Sequence, residues 1–231
     1  MNNVSNYQDL LKFLAIITMV IDHLGVYFFP KYTVLRLIGR TAMPIFCFFA
    51  GYNYKEKPKI KILLYGLVLY AITCLLLKKF IFSNILISIY LGQCYLYLFR
   101  DKLYNIASAY IHVIILAILG SVTCFISDYG SLAAAIMVLG YVAIHFPEQL
   151  KKTVLITMLL SIMHTVNTLN FAGFYIKMAI VIAILEYFII IYKNFDKKIN
   201  FNCKIISRNS LLIYTVHLIV FQSLFVYLLD W

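Results

Sequence analysis

Charge is the scarcest resource in this chain of 231 residues: only 13% are Asp, Glu, Lys or Arg, and the acidic share is nine residues. A water-soluble domain keeps about a quarter of its residues charged, so a surface built for water is excluded. Tryptophan occurs once and proline four times, so a proline-rich linker or scaffold is absent too. Five cysteines (Cys47, Cys74, Cys94, Cys124, Cys203) form no C-x-x-C pair, which argues against a redox or zinc motif and leaves them as small packing residues. No H-E-x-x-H, G-x-S-x-G or P-loop string is present, and five dispersed histidines make a metal centre an unpromising expectation.

What is present is apolar. Hydrophobic residues make up 64% of the chain, and the mean hydropathy is +0.91. A helix needs about 20 mostly apolar residues to cross a hydrocarbon core of roughly 30 Å. Nine segments qualify or nearly qualify: Leu10–Phe28, Thr33–Tyr54, Ile60–Leu77, Ile81–Phe99, Ile106–Ile126, Ser131–His145, Thr153–Val166, Phe171–Tyr192 and Ser207–Leu229. The sixth and seventh are short, so eight spans plus an interfacial pair is the alternative count. The runs are too long and too irregular for barrel strands. The joints are too short for a further domain, so the expectation is one all-α, polytopic transmembrane bundle over residues 1–231. The first run has no small-x-small cleavage site after it and is expected to be retained.

The net charge of +11 would suggest nucleic acid in a soluble chain. Here the basic residues sit in the joints, where they report topology. With nine spans, one side holds Lys12, Lys55, Lys57, Lys59, Lys61, Arg100, Lys102, Lys151, Lys152, Lys193, Lys197, Lys198, Lys204 and Arg208. The other holds Lys31, Arg36, Arg40, Lys78, Lys79 and Lys177, a division of 14 against 6. The richer side is expected to be cytoplasmic, so the N-terminus lies inside and the C-terminus outside the membrane.

Ionisable groups within spans are costly and mark sites by default. Asp22 and His23 follow the apolar run Phe13–Ile21, and Arg36 and Arg40 stand four residues apart at the start of the second span, on one helix face. With a rise of about 1.5 Å per residue, His23 lies roughly 8 Å and Arg40 roughly 10 Å below the same boundary. A carboxylate, an imidazole and two guanidiniums can satisfy one another there. The plain structural alternative is an ion-pair network that only fixes the packing of two helices. His217, about ten residues into the last span, has Tyr214 one turn before it. Asn84 and Asp128 fall at span ends, where they either face the same cavity or cap helices. His112 and His164 read as satisfied packing histidines, and His145 before Pro147 as interfacial.

The stretch DLLKFLAIITMVIDHLGVYFFP, followed by LRLIGRTAMPIFCFFAGYN, closely resembles the TraX family of membrane proteins. The elements that carry the likeness are Asp22-His23, Gly39-Arg40, Ala42, Pro44 and Phe46; Asn84, Asp128–Gly130 and the terminal IYTVHL with His217 resemble weaker blocks. Met43 stands where phenylalanine is commoner, and YNYKEKPK after Gly51 differs from the usual glutamate-glycine ending. The resemblance implies an integral-membrane acetyltransferase that takes its acetyl group from acetyl-CoA. The founding member acetylates the amino terminus of the F-pilin subunit; that acceptor does not carry over, and a pilin-like protein, a glycan and a lipid all stay open as the acceptor. His23 is the base expected to deprotonate an amine or hydroxyl acceptor, being the side chain that titrates near neutrality. Asp22 either orients His23 or pairs with an arginine, since neighbours on a helix point in different directions. Arg36, Arg40, Asn84, Asp128, Tyr214 and His217 are the expected substrate-binding set. The rivals from other classes are a transporter or channel, and a structural subunit of a conjugation or secretion assembly.

Overall fold

The computed structural model describes residues 5–78, 84–123, 127, 129–169, 195 and 197–229. The described chain is helical apart from one small two-stranded sheet. It gathers into two compact units, one from residues 1–46 and 165–231 and the other from 47–164.

In the first unit, α1 (Tyr7–Tyr27) starts three residues before the apolar run does, because Asn6 and Asp9 form a reciprocal capping box that satisfies two helix-end donors. Pro30 follows closely on its last residue and cannot continue the ladder. The second apolar run was expected to be one helix over Thr33–Tyr54. Instead it is two, α2 (Thr33–Gly39) and α3 (Ala42–Tyr52), interrupted at Arg40 and Thr41. Pro44 is the cause. It has no N–H for the carbonyl of Arg40 and its ring crowds that carbonyl, so α2 closes early, with Thr41 Oγ1 donating to the Ile38 carbonyl at 2.8 Å. α1 and α2 pack tightly through glycine. A Cβ on Gly39 would lie 2.1 Å from Asp22 Cβ and 2.5 Å from its Cα, so only glycine allows this approach.

The last run is also divided. Asn209 separates α9 (Lys204–Arg208) from α10 (Ser210–Leu229), its amide donating back to the Ile205 carbonyl at 2.8 Å. Strand β1 (Ser5–Asn6) pairs antiparallel with β2 (Lys198–Ile199). Ser5 Oγ accepts from the backbone N–H groups of Cys203 and Lys204, and Ser207 Oγ donates to Asp9 Oδ1 at 2.5 Å. The start of α1 is thereby clasped to the start of the C-terminal helices. Further along, His23 meets His217 and Phe28 packs edge-on to Phe221, so α1 and α10 run parallel.

In the second unit, α4 occupies Ile60–Leu77 as its hydropathy predicts. α5 (Ile85–Phe99), α6 (Ile106–Thr123) and α7 (Gly130–His145) follow, and α8 begins at Leu150 and runs to Leu169. Every residue from Leu132 to Gly140 is buried, as expected of a helix that is apolar all round. At 16 residues α7 is only about 24 Å long, short for a lipid-facing span, and its neighbours rather than lipid surround it. Gly51 and Gly140 allow α3 and α7 to touch backbone to backbone: added Cβ atoms would lie 1.9 Å from the Met137 carbonyl oxygen and 2.0 Å from that of Phe48. Small residues at such crossings are the usual means of helix association where lipid supplies no hydrophobic drive.

Among the described residues, four helical stretches are long and apolar enough to cross a membrane: Tyr7–Tyr27, Thr33–Tyr52 (α2 and α3 together), Ile60–Leu77 and Ser210–Leu228, with Ile106–Gly120 and Gly130–His145 as shorter apolar helices. The outer faces of α4 and α5 are apolar, with Leu75 78% and Leu98 70% exposed, a surface suited to lipid rather than water. The expected span Phe171–Tyr192 lies outside the described residues.

Candidate functional site

The first unit brings six of the eight expected site residues together. Asp22 and His23, adjacent in α1, turn to different partners. Asp22 Oδ2 accepts from Arg36 Nη1 at 2.8 Å, an ion pair whose side chains are 14% and 22% exposed. Its other oxygen, Oδ1, is buried with no hydrogen-bond partner among the described residues. Of the two roles open to Asp22, then, the geometry realises the pairing with arginine. Arg40 caps α2, its backbone N–H bonded to the Arg36 carbonyl, and its charge acts on both Asp22 and His23.

His23 faces α10. Its Nδ1 lies 2.6 Å from His217 Nε2, and the two rings are 4.9 Å apart. His217 Nδ1 lies 2.7 Å from the Ile213 carbonyl oxygen one turn back on its own helix. Tyr214 is buried beside both imidazoles, its ring 6.0 Å from His23 and 5.9 Å from His217. Two further residues, not anticipated from the sequence, close this seam. Tyr27 stands one turn after His23, and Gln222, 1% exposed, donates to the Tyr27 hydroxyl at 3.0 Å. The available signals were the i, i+4 spacing of His23 and Tyr27 and the presence of an amide in an apolar span.

The remaining expectations fall elsewhere. Asn84 is in the second unit, and its amide is engaged twice: Oδ1 caps α5 by accepting from Leu86 N–H at 3.1 Å, and Nδ2 donates to the Gly66 carbonyl at 2.8 Å. Of the two alternatives for Asn84, it serves as cap and helix clamp. Asp128 lies outside the described residues. His112 is hydrogen-bonded to Tyr95 and the His164 ring lies tilted against Tyr129, both packing arrangements, while exposed His145 bonds to the Tyr141 carbonyl. Among the described residues no three His, Cys, Asp or Glu side chains gather as a metal ion requires, and four cysteines are free thiols.

Apolar helices of spanning length and an intramembrane cluster of Asp, His and Arg between the first, second and last of them define an integral α-helical membrane protein with a polar site among its helices. Within that class the chain belongs to the TraX family: the family model described as TraX protein matches residues 7–225. It is also similar to "Uncharacterized protein RP591" of Rickettsia prowazekii (strain Madrid E), with 42% identity over 97% of this chain and 94% of that protein. No solved structure matches the chain.

Proposed function

We propose that the protein is an integral-membrane acyltransferase that moves an acetyl group from acetyl-CoA to an amine or hydroxyl acceptor. The single observation that carries the reading is the environment of His23: an imidazole held by a second imidazole at 2.6 Å and flanked by the Asp22–Arg36 pair at 2.8 Å. A packing network for two helices needs the ion pair. It has no need of a histidine held at one ring nitrogen beside it.

In this scheme His23 takes the acceptor's proton as the acceptor's electron pair adds to the thioester carbonyl. The carbon–sulfur bond then breaks, and the proton leaves with the sulfur as a thiol. In this scheme Asp22 Oδ1, buried and without a hydrogen-bond partner among the described residues, accepts a hydrogen bond from the acceptor. Arg36 and Arg40 offset charge that develops on oxygen, the role fixed cations fill best in a site shielded from water. The acceptor chemistry extends to a pilin-like amino terminus, a glycan or a lipid.

The scheme takes the N-terminus as cytoplasmic in a bacterial inner membrane crossed about nine times. One structural feature supports it: the clasp that joins the start of α1 to β2 and α9 puts the segments bearing Lys12, Lys197, Lys198, Lys204 and Arg208 at one end of the first unit. The acyl group would then pass from a cytoplasmic donor towards an acceptor nearer the outer face.

The break between α2 and α3 beside two arginines favours a second reading, since discontinuous helices line the binding sites of many transporters. Membranes carrying wild type or His23→Ala, supplied with acetyl-labelled CoA, separate the two. Acyl transfer that His23→Ala abolishes supports the enzyme. Undiminished transfer by a normally inserted His23→Ala chain removes His23 from the mechanism, and solute flux without acyl transfer favours transport.

A further inference from the structure

We propose that His217 is a positioning residue that holds His23 in a single tautomer, with its proton on Nδ1 and its lone pair on Nε2. The inference rests on the acyltransferase reading for its consequence, but its geometry stands independently. A carbonyl oxygen can only accept, so the 2.7 Å contact between His217 Nδ1 and the Ile213 carbonyl fixes the proton of a neutral His217 on Nδ1. Its Nε2 then carries a lone pair. The 2.6 Å contact from that Nε2 to His23 Nδ1 is a hydrogen bond only if His23 Nδ1 is the donor. A neutral His23 therefore presents an unprotonated Nε2. The opposite polarity would need a doubly protonated His217 close to a site that already holds Arg36 and Arg40.

The consequence for chemistry is specific. When His23 Nε2 removes a proton from an amine or hydroxyl acceptor, the imidazolium keeps its Nδ1–H directed at the His217 lone pair, and the hydrogen bond strengthens as charge develops. When the proton leaves on sulfur, His23 returns to its starting tautomer and no rotation of the ring is needed. Histidine orientation by the partner of the second ring nitrogen is a general device. Here the partner is a neutral imidazole, while the carboxylate next to His23 in sequence is committed to Arg36. His217, expected from sequence to bind substrate, is thus assigned to His23.

The test uses the full-length protein in lipid bilayers with both ring nitrogens of histidine labelled with ¹⁵N. The His23 resonances, identified by their loss in His23→Gln, should show a protonated Nδ1 and an unprotonated Nε2. His217→Gln, whose side-chain oxygen can accept where Nε2 did, should keep that pattern and retain acyl transfer within about tenfold. His217→Phe should populate the Nε2–H form and reduce transfer by roughly 10²–10⁴-fold, the range general-base catalysis supplies. A wild-type His23 protonated on Nε2 overturns the assignment. So does a His217→Phe chain in which His23 keeps the Nδ1 proton. If His217→Phe does not fold, the wild-type and His217→Gln spectra decide. If wild type transfers no acyl group, the function proposed above fails while the spectra still decide the role of His217.

Discussion

Replacing Gly39 by alanine is the sharpest structural perturbation of the site, because the obstacle to a methyl group there is backbone. The new Cβ would lie 2.1 Å from Asp22 Cβ, 2.5 Å from Asp22 Cα and 2.6 Å from Asp22 Oδ1. To restore an ordinary carbon–carbon separation of about 3.5 Å, α1 and α2 must part by roughly 1.4 Å. Neither a rotamer change nor a flexible chain end can relieve the clash. Overpacking of this kind costs about 1–3 kcal/mol, and the same movement stretches the 2.8 Å bond between Arg36 and Asp22. A catalytic group misplaced by about 1 Å can cost on the order of 10²-fold in rate, so activity should fall further than stability. Gly25→Ala is the internal control. It lies on the same helix pair, but its Cβ would meet Leu35 Cβ at 3.0 Å and Arg36 N at 3.4 Å, which a few tenths of an ångström relieve. Thermal unfolding in mild detergent, with acyl transfer measured in parallel, should rank Gly39→Ala well below Gly25→Ala on both readouts. Equal effects would refute the argument that this crossing is set by the Gly39–Asp22 contact.

Other substitutions separate support from chemistry. Asn84→Ala should cost about 1 kcal/mol through loss of the α5 cap, lowering the unfolding midpoint while acyl transfer at the assay temperature persists; selective loss of transfer would return Asn84 to the substrate-binding set. Gly140→Ala, with a Cβ 2.0 Å from the Phe48 carbonyl oxygen, should speed amide hydrogen exchange in α7 and in α3 from Cys47 to Tyr52. Unchanged exchange in α7 would contradict the close crossing. Ser207→Ala removes the 2.5 Å bond to Asp9, a hydrogen bond to a charged group worth about 1.5–3 kcal/mol when buried and less here because it is partly exposed. Proteolysis between β2 and α9 should become faster, and resistance equal to wild type would show that the clasp contributes nothing measurable.

The apolar runs made the helices legible, and α4 matches its run from Ile60 to Leu77. Boundaries were missed where polar chemistry decides them. α1 begins at Tyr7 because Asn6 and Asp9 cap it, while hydropathy sees only the run from Leu10. The proline in the second run was visible, but its effect lands four residues upstream at Arg40, where the carbonyl loses its partner. The pairing of Asp22 with an arginine was among the readable alternatives, because the spacing put both guanidiniums at a similar depth. The bond between His23 and His217 joins residues 194 positions apart. No local periodicity encodes that contact; it requires α1 and α10 to be parallel neighbours, a fact of tertiary packing. Tyr27 and Gln222 were missed for the same reason, each being unremarkable until the other helix is beside it.

The central claim is that His23 abstracts a proton for acyl transfer, and the most direct measurement is a coupled one. Purified protein in liposomes receives acetyl-CoA together with candidate amine and hydroxyl acceptors, and free CoA thiol and acylated acceptor are counted in the same sample. Wild type should yield the two products in equal amounts, and a folded His23→Ala chain neither above background. Equal turnover by both chains, or passage of solute across the bilayer with no thiol released, would contradict it.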